Sequence, residues 1–165
     1  MGAIEGEFWS ADTHGVQAPL TDEAVREAER VLGVVLPAVL IELLRVQNGG
    51  GVVSGRSAYP TNTPASWAPD HVPFEGLMGI GSTGDALTIL HTPYLVREWG
   101  LPERVVLLTG DGHWWIALDY RVCGPAGEPS VVWLDAEMDE DLTLAPSFQS
   151  FVEALAPAAA FGESG

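Results

Sequence analysis

The sequence predicts an α+β fold: a single domain in which a mixed, mostly antiparallel sheet packs with N-terminal and C-terminal helices. Three observations carry this reading. Apolar residues recur at helical spacing between residues 21 and 47. Three strand-like runs, Val105 to Thr109, Trp114 to Tyr120 and Val131 to Leu134, are separated by turn-forming residues. Ser147 then precedes Phe148, Phe151, Val152 and Leu155, which share one helical face. Helices first, sheet in the middle and helix last is the order of an α+β domain. A chain of 165 residues fits one such domain and buries roughly 70% of its unfolded surface without needing disulfides.

Residues 1–20 have no apolar period and read as a flexible, loosely docked N-terminal arm that includes Phe8 and Trp9. The domain is expected over residues 21–156. Thr21 suits an N-cap, Asp22 and Glu23 suit the positive end of the helix dipole, and Gly33 stops a stripe of Ala24, Val25, Ala28, Val31 and Leu32. Pro37 suits the first position of a second helix, with Leu36, Leu40, Leu43, Leu44 and Gln47 on one face. Asn48, Gly49 and Gly50 can adopt left-handed conformations that end it.

The Pro-, Ser- and Thr-rich run from Val52 to Gly76 reads as a long surface excursion, and its Tyr59, Trp67 and Phe74 serve either as recognition anchors or as pins to the core. Leu77 to Gly81 suggests a short strand. Asp85 to His91 and Pro93 to Trp99 suggest one interrupted helix or two short ones. Gly110-Asp111-Gly112 turns the chain between the first two long strands, and Gly124 to Pro129 turns it before the third. Residues 157–165 form a tail that is expected to fray.

Twenty-three Asp and Glu oppose seven basic residues, all arginine, for a formal charge of −16. Such a chain repels nucleic acid and anionic membrane, so neither is expected as a direct partner. It suits a cationic partner, although acidity also simply maintains solubility. A lone Cys123, no basic leader before an apolar run and no apolar run long enough to span a bilayer suggest a soluble, cytoplasmic protein.

Catalytic signals are sparse. Asp111 and His113 flank Gly112 and would form an acid and base pair only if both turned into one cleft. No nucleophile elbow surrounds a Ser or Cys. The four histidines are scattered, and the acids from Asp135 to Asp141 lack the calcium-loop spacing. No catalytic residue, metal or cofactor is therefore expected. Gly79 to Gly84 lacks the order of a phosphate-binding loop and is read as a turn.

The run Asp135-Ala136-Glu137-Met138-Asp139-Glu140-Asp141 reads as an acidic loop at a sheet edge, presenting carboxylates to a partner's Arg and Lys or simply solvated. Because strand residues alternate faces, Trp114 and Trp115 cannot both point to the same side. The expected partner surface comprises Asp111, Trp114, Glu137, Asp139, Glu140, Asp141 and Trp67, with the acids steering and the indoles anchoring.

The Leu36-Pro37 helix ending in Asn48-Gly49-Gly50, the Ile80 region, Trp99-Gly100-Leu101-Pro102, the Gly110-Asp111-Gly112 turn with Leu118-Asp119, and Val131-Val132-Trp133-Leu134-Asp135 together resemble the SMI1/KNR4 family of the SUKH superfamily. The resemblance spans residues 21 to 156. It implies a small α+β domain without established catalytic residues, with Leu36, Pro37, Asn48, Gly49 and Gly50 as fold-forming positions. It also implies one of two roles. Bacterial members resemble immunity proteins that bind and block a cognate toxin, often a nuclease, while fungal members are larger regulators tied to cell-wall synthesis. The chain departs from the family pattern at His113-Trp114-Trp115, where a single aromatic is typical, and in its long Ser54 to Gly76 loop. The partner expected from this resemblance and from the charge is a basic protein toxin; an endogenous regulatory or scaffold role of the same fold is the alternative. Oligomeric state is left open.

Overall fold

A computed structural model describes residues 8–82, 84 and 86–161. Helix α1 spans Asp22–Leu32 and helix α2 spans Ala38–Val46. The Thr21 side chain accepts the Ala24 N–H, and Gly33 closes α1 with φ 72°, a conformation glycine adopts without steric cost. Pro37 sits just before α2, at its N-cap rather than inside its first turn.

The chain then forms short strands β1 (Gly50–Gly51), β2 (Ala58–Pro60), β3 (His71–Pro73) and β4 (Gly76–Leu77), with β1 paired to β4 and β2 paired to β3. A 3-10 turn at Ile89–His91 leads directly into helix α3, Thr92–Trp99. The sequence-predicted helix from Asp85 is thus shorter, and Asp85 itself lies outside the described residues. Strands β5 (Val105–Gly110), β6 (Trp114–Asp119), β7 (Ser130–Asp135) and β8 (Glu140–Ala145) form an antiparallel meander, followed by helix α4, Phe148–Glu153. Every strand pairing among the described residues is antiparallel, and the whole is an α+β arrangement.

Alternation along the meander divides the core. Val106, Leu108, Ile116, Leu118, Val131 and Trp133 face the main core, which also contains Leu40 and Leu44 of α2 and Phe148, Phe151 and Val152 of α4. Leu107, Trp115, Ala117, Val132 and Leu134 face the other way and pack with Leu95 and Leu101 in and after α3. Both sheet faces are apolar because helices cover both, so Trp114 and Trp115 separate as the pleat requires.

Three sequence expectations need correction. Residues 8–20 are not a loosely docked arm: Phe8 and Leu20 belong to the core, and Trp9 bridges Val52 and donates its indole N–H to the Leu43 carbonyl at 3.3 Å. The first seven residues lie outside the described set. The excursion from Val52 to Gly76 is not confined to the surface: β2 and β3 pair within it, and Val72 and Phe74 are completely buried. The tail is also held as far as Phe161. Ala156 exchanges both backbone hydrogen bonds with Ala58 at 2.9 Å, and the Phe161 ring stacks on His71 at 4.5 Å.

The residues at the end of α2 explain how these pieces are joined. Buried Asn48 donates to the carbonyls of Ala18 at 2.7 Å and Ile80 at 2.8 Å, while its Oδ1 accepts the Ile80 N–H at 2.8 Å. One side chain therefore ties the N-terminal segment, the end of α2 and the segment after β4. Gly49 has φ 98°, and a Cβ there would lie 2.7 Å from the Gly79 nitrogen. Gly50 has φ 131° and begins β1. Leu36 is buried before α2, and its N–H is taken by the Glu29 carboxylate at 2.8 Å.

A candidate protein-binding rim

At one end of the meander, two turns lie side by side because β6 and β7 pair Trp114 with Asp135. Both are built in the same way. Asp111 Oδ1 accepts the N–H groups of His113 and Trp114 at 2.9 and 3.2 Å, and Asp135 Oδ1 accepts those of Glu137 and Met138 at 3.0 and 2.9 Å. An Asp heading a turn often bonds the backbone two and three residues on. The Ala136 N–H donates to the His113 carbonyl at 2.8 Å, and His113 Nδ1 meets Glu137 Oε2 at 2.7 Å, so the turns form one ridge.

Aromatic side chains flank that ridge. On the main-core side, Trp114 stacks on Trp133 with ring centres 4.9 Å apart, and Trp67 meets the edge of Trp114 at 6.2 Å. On the α3 side, Trp99 lies 6.5 Å from His113 and close over Gly112, where an added Cβ would lie 3.4 Å from its ring. Trp67 is 44% exposed, Trp99 41% and Met138, between Glu137 and Asp139, 69%.

The structure brings together only some of the residues expected to bind a partner. Asp111, Glu137 and Asp139 occupy the exposed ridge, with Trp67 beside it. Glu140 and Asp141 are not loop residues; they open β8. Glu140 Oε1 accepts the Ser66 N–H at 2.8 Å and the Trp133 indole N–H at 2.9 Å. Its carboxylate thus anchors the long excursion to the sheet. Asp141 is neutralised by Arg121 at 2.7 Å. Trp114 is half-buried between two other indoles, so its ring is largely committed to packing. Trp99 and Met138 were not singled out from the sequence as contacts; a Trp at the end of α3 gives no sign of its position until the sheet's register is known.

Arg121 also binds Asp119, through both carboxylate oxygens at 2.9 Å. Burial alone would raise the Asp119 carboxyl, but hydrogen bonds from the Arg121 side chain and backbone, together with its charge, outweigh burial and hold it below the usual carboxylate range. The same bonds from Asp119 and Asp141 push the Arg121 guanidinium up. Burial pushes the neighbouring Tyr120 phenol well up, and it stays protonated to donate to the Val35 carbonyl at 2.7 Å. Through these pairs Arg121 ties the end of β6 to the start of β8.

Asp111 and His113 do not form an acid-base dyad. The Asp111 carboxylate holds its own turn, while His113 pairs with Glu137 where both side chains are more than half exposed. Among the described residues, no three His, Cys, Asp or Glu converge as a metal site, and no helix is long and apolar enough to cross a membrane.

The family model for SMI1 / KNR4 (SUKH-1) matches residues 19–154, most of the chain. The chain belongs to the SMI1/KNR4 family. Members of SUKH-1 are known for immunity-like proteins and are generally noncatalytic. A comparison with curated proteins finds no match. In this SMI1/KNR4 domain, the matched segment includes α1 through α4 and therefore both turns of the ridge.

Proposed function

We propose that this SMI1/KNR4 protein is a noncatalytic binding module that neutralises a basic toxin domain, such as a nuclease, as an immunity protein. The observation that carries the reading is the ridge: Asp111, Glu137 and Asp139 on two mutually bonded turns, between half-exposed Trp67 and Trp99, in a chain of formal charge −16. Carboxylates at such a place steer a cationic protein, and aromatic side chains supply contact area at low entropic cost. Asp139 has φ 53° and no ion-pair partner among the described residues, so its charge is available at the turn.

A nuclease binds its substrate in a basic groove, and an exposed acidic ridge is complementary in charge to such a groove without any shared chemistry. The cytoplasm, where such a toxin would act, is the proposed compartment. The test is to mix the protein with a purified basic toxin domain encoded beside its gene and follow nucleic-acid cleavage. Stoichiometric inhibition that weakens as salt rises is expected. Undiminished cleavage, with capture only of a housekeeping protein, would replace immunity with the regulatory role.

A further inference from the structure

At the end of the meander opposite the ridge, the end of α1, helix α3, the start of β5 and the β6–β7 turn surround a groove of two adjoining lobes, of about 270 and 480 Å³. Leu32, Val34, Glu103 and Arg104 line both lobes, and Arg97 joins them in the smaller. The walls are tied together. The Val35 N–H donates to the Pro125 carbonyl at 2.8 Å, and the Tyr120 hydroxyl donates to the Val35 carbonyl at 2.7 Å. Two guanidiniums therefore stand at one groove in a chain with 23 Asp and Glu against seven Arg. Arg30, Arg45 and Arg121 are held by carboxylates, whereas Arg97 and Arg104 have neither an ion pair nor a side-chain hydrogen bond among the described residues. Arg104 is also held at φ 68°, its carbonyl accepting the Tyr120 N–H at 2.9 Å. A side chain in that conformation costs free energy that glycine would not. Among the described residues no ion pair or hydrogen bond of its guanidinium offsets that cost.

We propose that this groove binds a small monocarboxylate with an apolar body. Its carboxylate lies in the smaller lobe, which Arg97 and Arg104 both line, and its body runs into the larger lobe along Leu32, Val34 and Pro125. A guanidinium presents paired N–H donors that match the two oxygens of a carboxylate. Two guanidiniums against the Glu103 carboxylate leave one positive charge at the groove, which a single carboxylate neutralises. A large polyanion would instead meet the repulsion of a chain of charge −16. The larger lobe is within the range of sites that enclose small ligands, roughly 300 to 1,000 Å³. The groove and the acidic ridge lie at opposite ends of the sheet, so this inference does not rest on the immunity reading.

The test follows the backbone amide NMR shifts of the full chain as a panel of linear and arylalkyl monocarboxylates is titrated in, with the corresponding neutral amides as controls. Saturable shifts centred on residues 32–34, 97 and 104 are expected for the acids, with the amides binding at least about tenfold more weakly. Arg97→Gln should weaken acid binding by a similar factor without moving thermal unfolding, and Glu103→Gln should tighten it. Arg104→Gly separates binding from folding. Acid binding should be lost, while the unfolding temperature stays the same or rises because the left-handed backbone no longer carries a side chain. The proposal is overturned if no acid in the panel gives saturable shifts at the groove, if acids and amides bind alike, or if binding survives both arginine variants. A lower unfolding temperature in Arg104→Gly would make that arginine a fold-forming residue and overturn its ligand role. Tighter binding of short peptides with a free, apolar carboxyl terminus than of any small acid would overturn the proposal as well, giving the groove to a protein chain end.

Discussion

Asn48 shows how much one residue decides. Its amide satisfies backbone groups in two segments far apart in the chain, so Asn48→Ala leaves a buried Ile80 N–H and carbonyl without partners. Chemical denaturation should show a loss of roughly 2 to 4 kcal/mol, whereas an alanine at exposed Asn62 should change stability little. Asp119 sets a pH dependence. Its carboxyl lies below its usual range in the folded chain because Arg121 outweighs burial. The stability it contributes is therefore fully present above the unfolded carboxyl value and lost as pH falls through the lower folded value. Asp119→Asn should lower stability at neutral pH and flatten its acid decline; an unchanged pH profile would remove Asp119 from that role. The tryptophans divide similarly. Trp67→Ala and Trp99→Ala should weaken partner binding while thermal unfolding moves little. Trp114→Ala should cost about 3 kcal/mol of stability, because its ring lies between Trp67 and Trp133.

At the scale of elements, helices α1, α2 and α4 were legible because each pairs an apolar face with a cap: Thr21 and Gly33 around α1, Pro37 before α2, and Ser147 before α4. Strands β5 to β7 were legible from their apolar runs and intervening turns. Strand β8 was not, because it opens with two carboxylates whose compensation comes from remote positions, Ser66 and Trp133 for Glu140 and Arg121 for Asp141. The β2 and β3 pair was obscured by proline and by its short length, and local pattern carries no sign that Val72 and Phe74 reach the main core. The acidic turn was visible in the sequence, but its useful membership depended on register. Register gives Glu140 and Asp141 internal partners and sets Glu137, Met138 and Asp139 outward. Gly49 belongs to this scale as well. Gly49→Ala would force a Cβ against the Gly79 backbone in a left-handed conformation, so the junction of β1 with the segment after β4 should loosen and local hydrogen exchange should accelerate.

Across the whole molecule, the sheet works as a rigid mount. Helices cover its two faces, the excursion fastens its β8 edge, and the ridge projects at the end where the β5–β6 and β7–β8 turns meet. SMI1/KNR4 proteins are generally noncatalytic. The overall charge of −16 would attract any basic protein, so the central claim is that the ridge, rather than total charge, directs the partner. The decisive measurement is the association rate of the basic toxin domain across a salt series with two triple variants of equal charge. One carries Asp111→Lys, Glu137→Lys and Asp139→Lys on the ridge; the other carries Glu23→Lys, Glu42→Lys and Glu153→Lys at exposed positions on α1, α2 and α4. The ridge variant should lose at least about tenfold in association rate and much of its salt dependence, with the second variant close to the unmodified protein. Equal losses in both variants, or no loss in the ridge variant, would contradict the account.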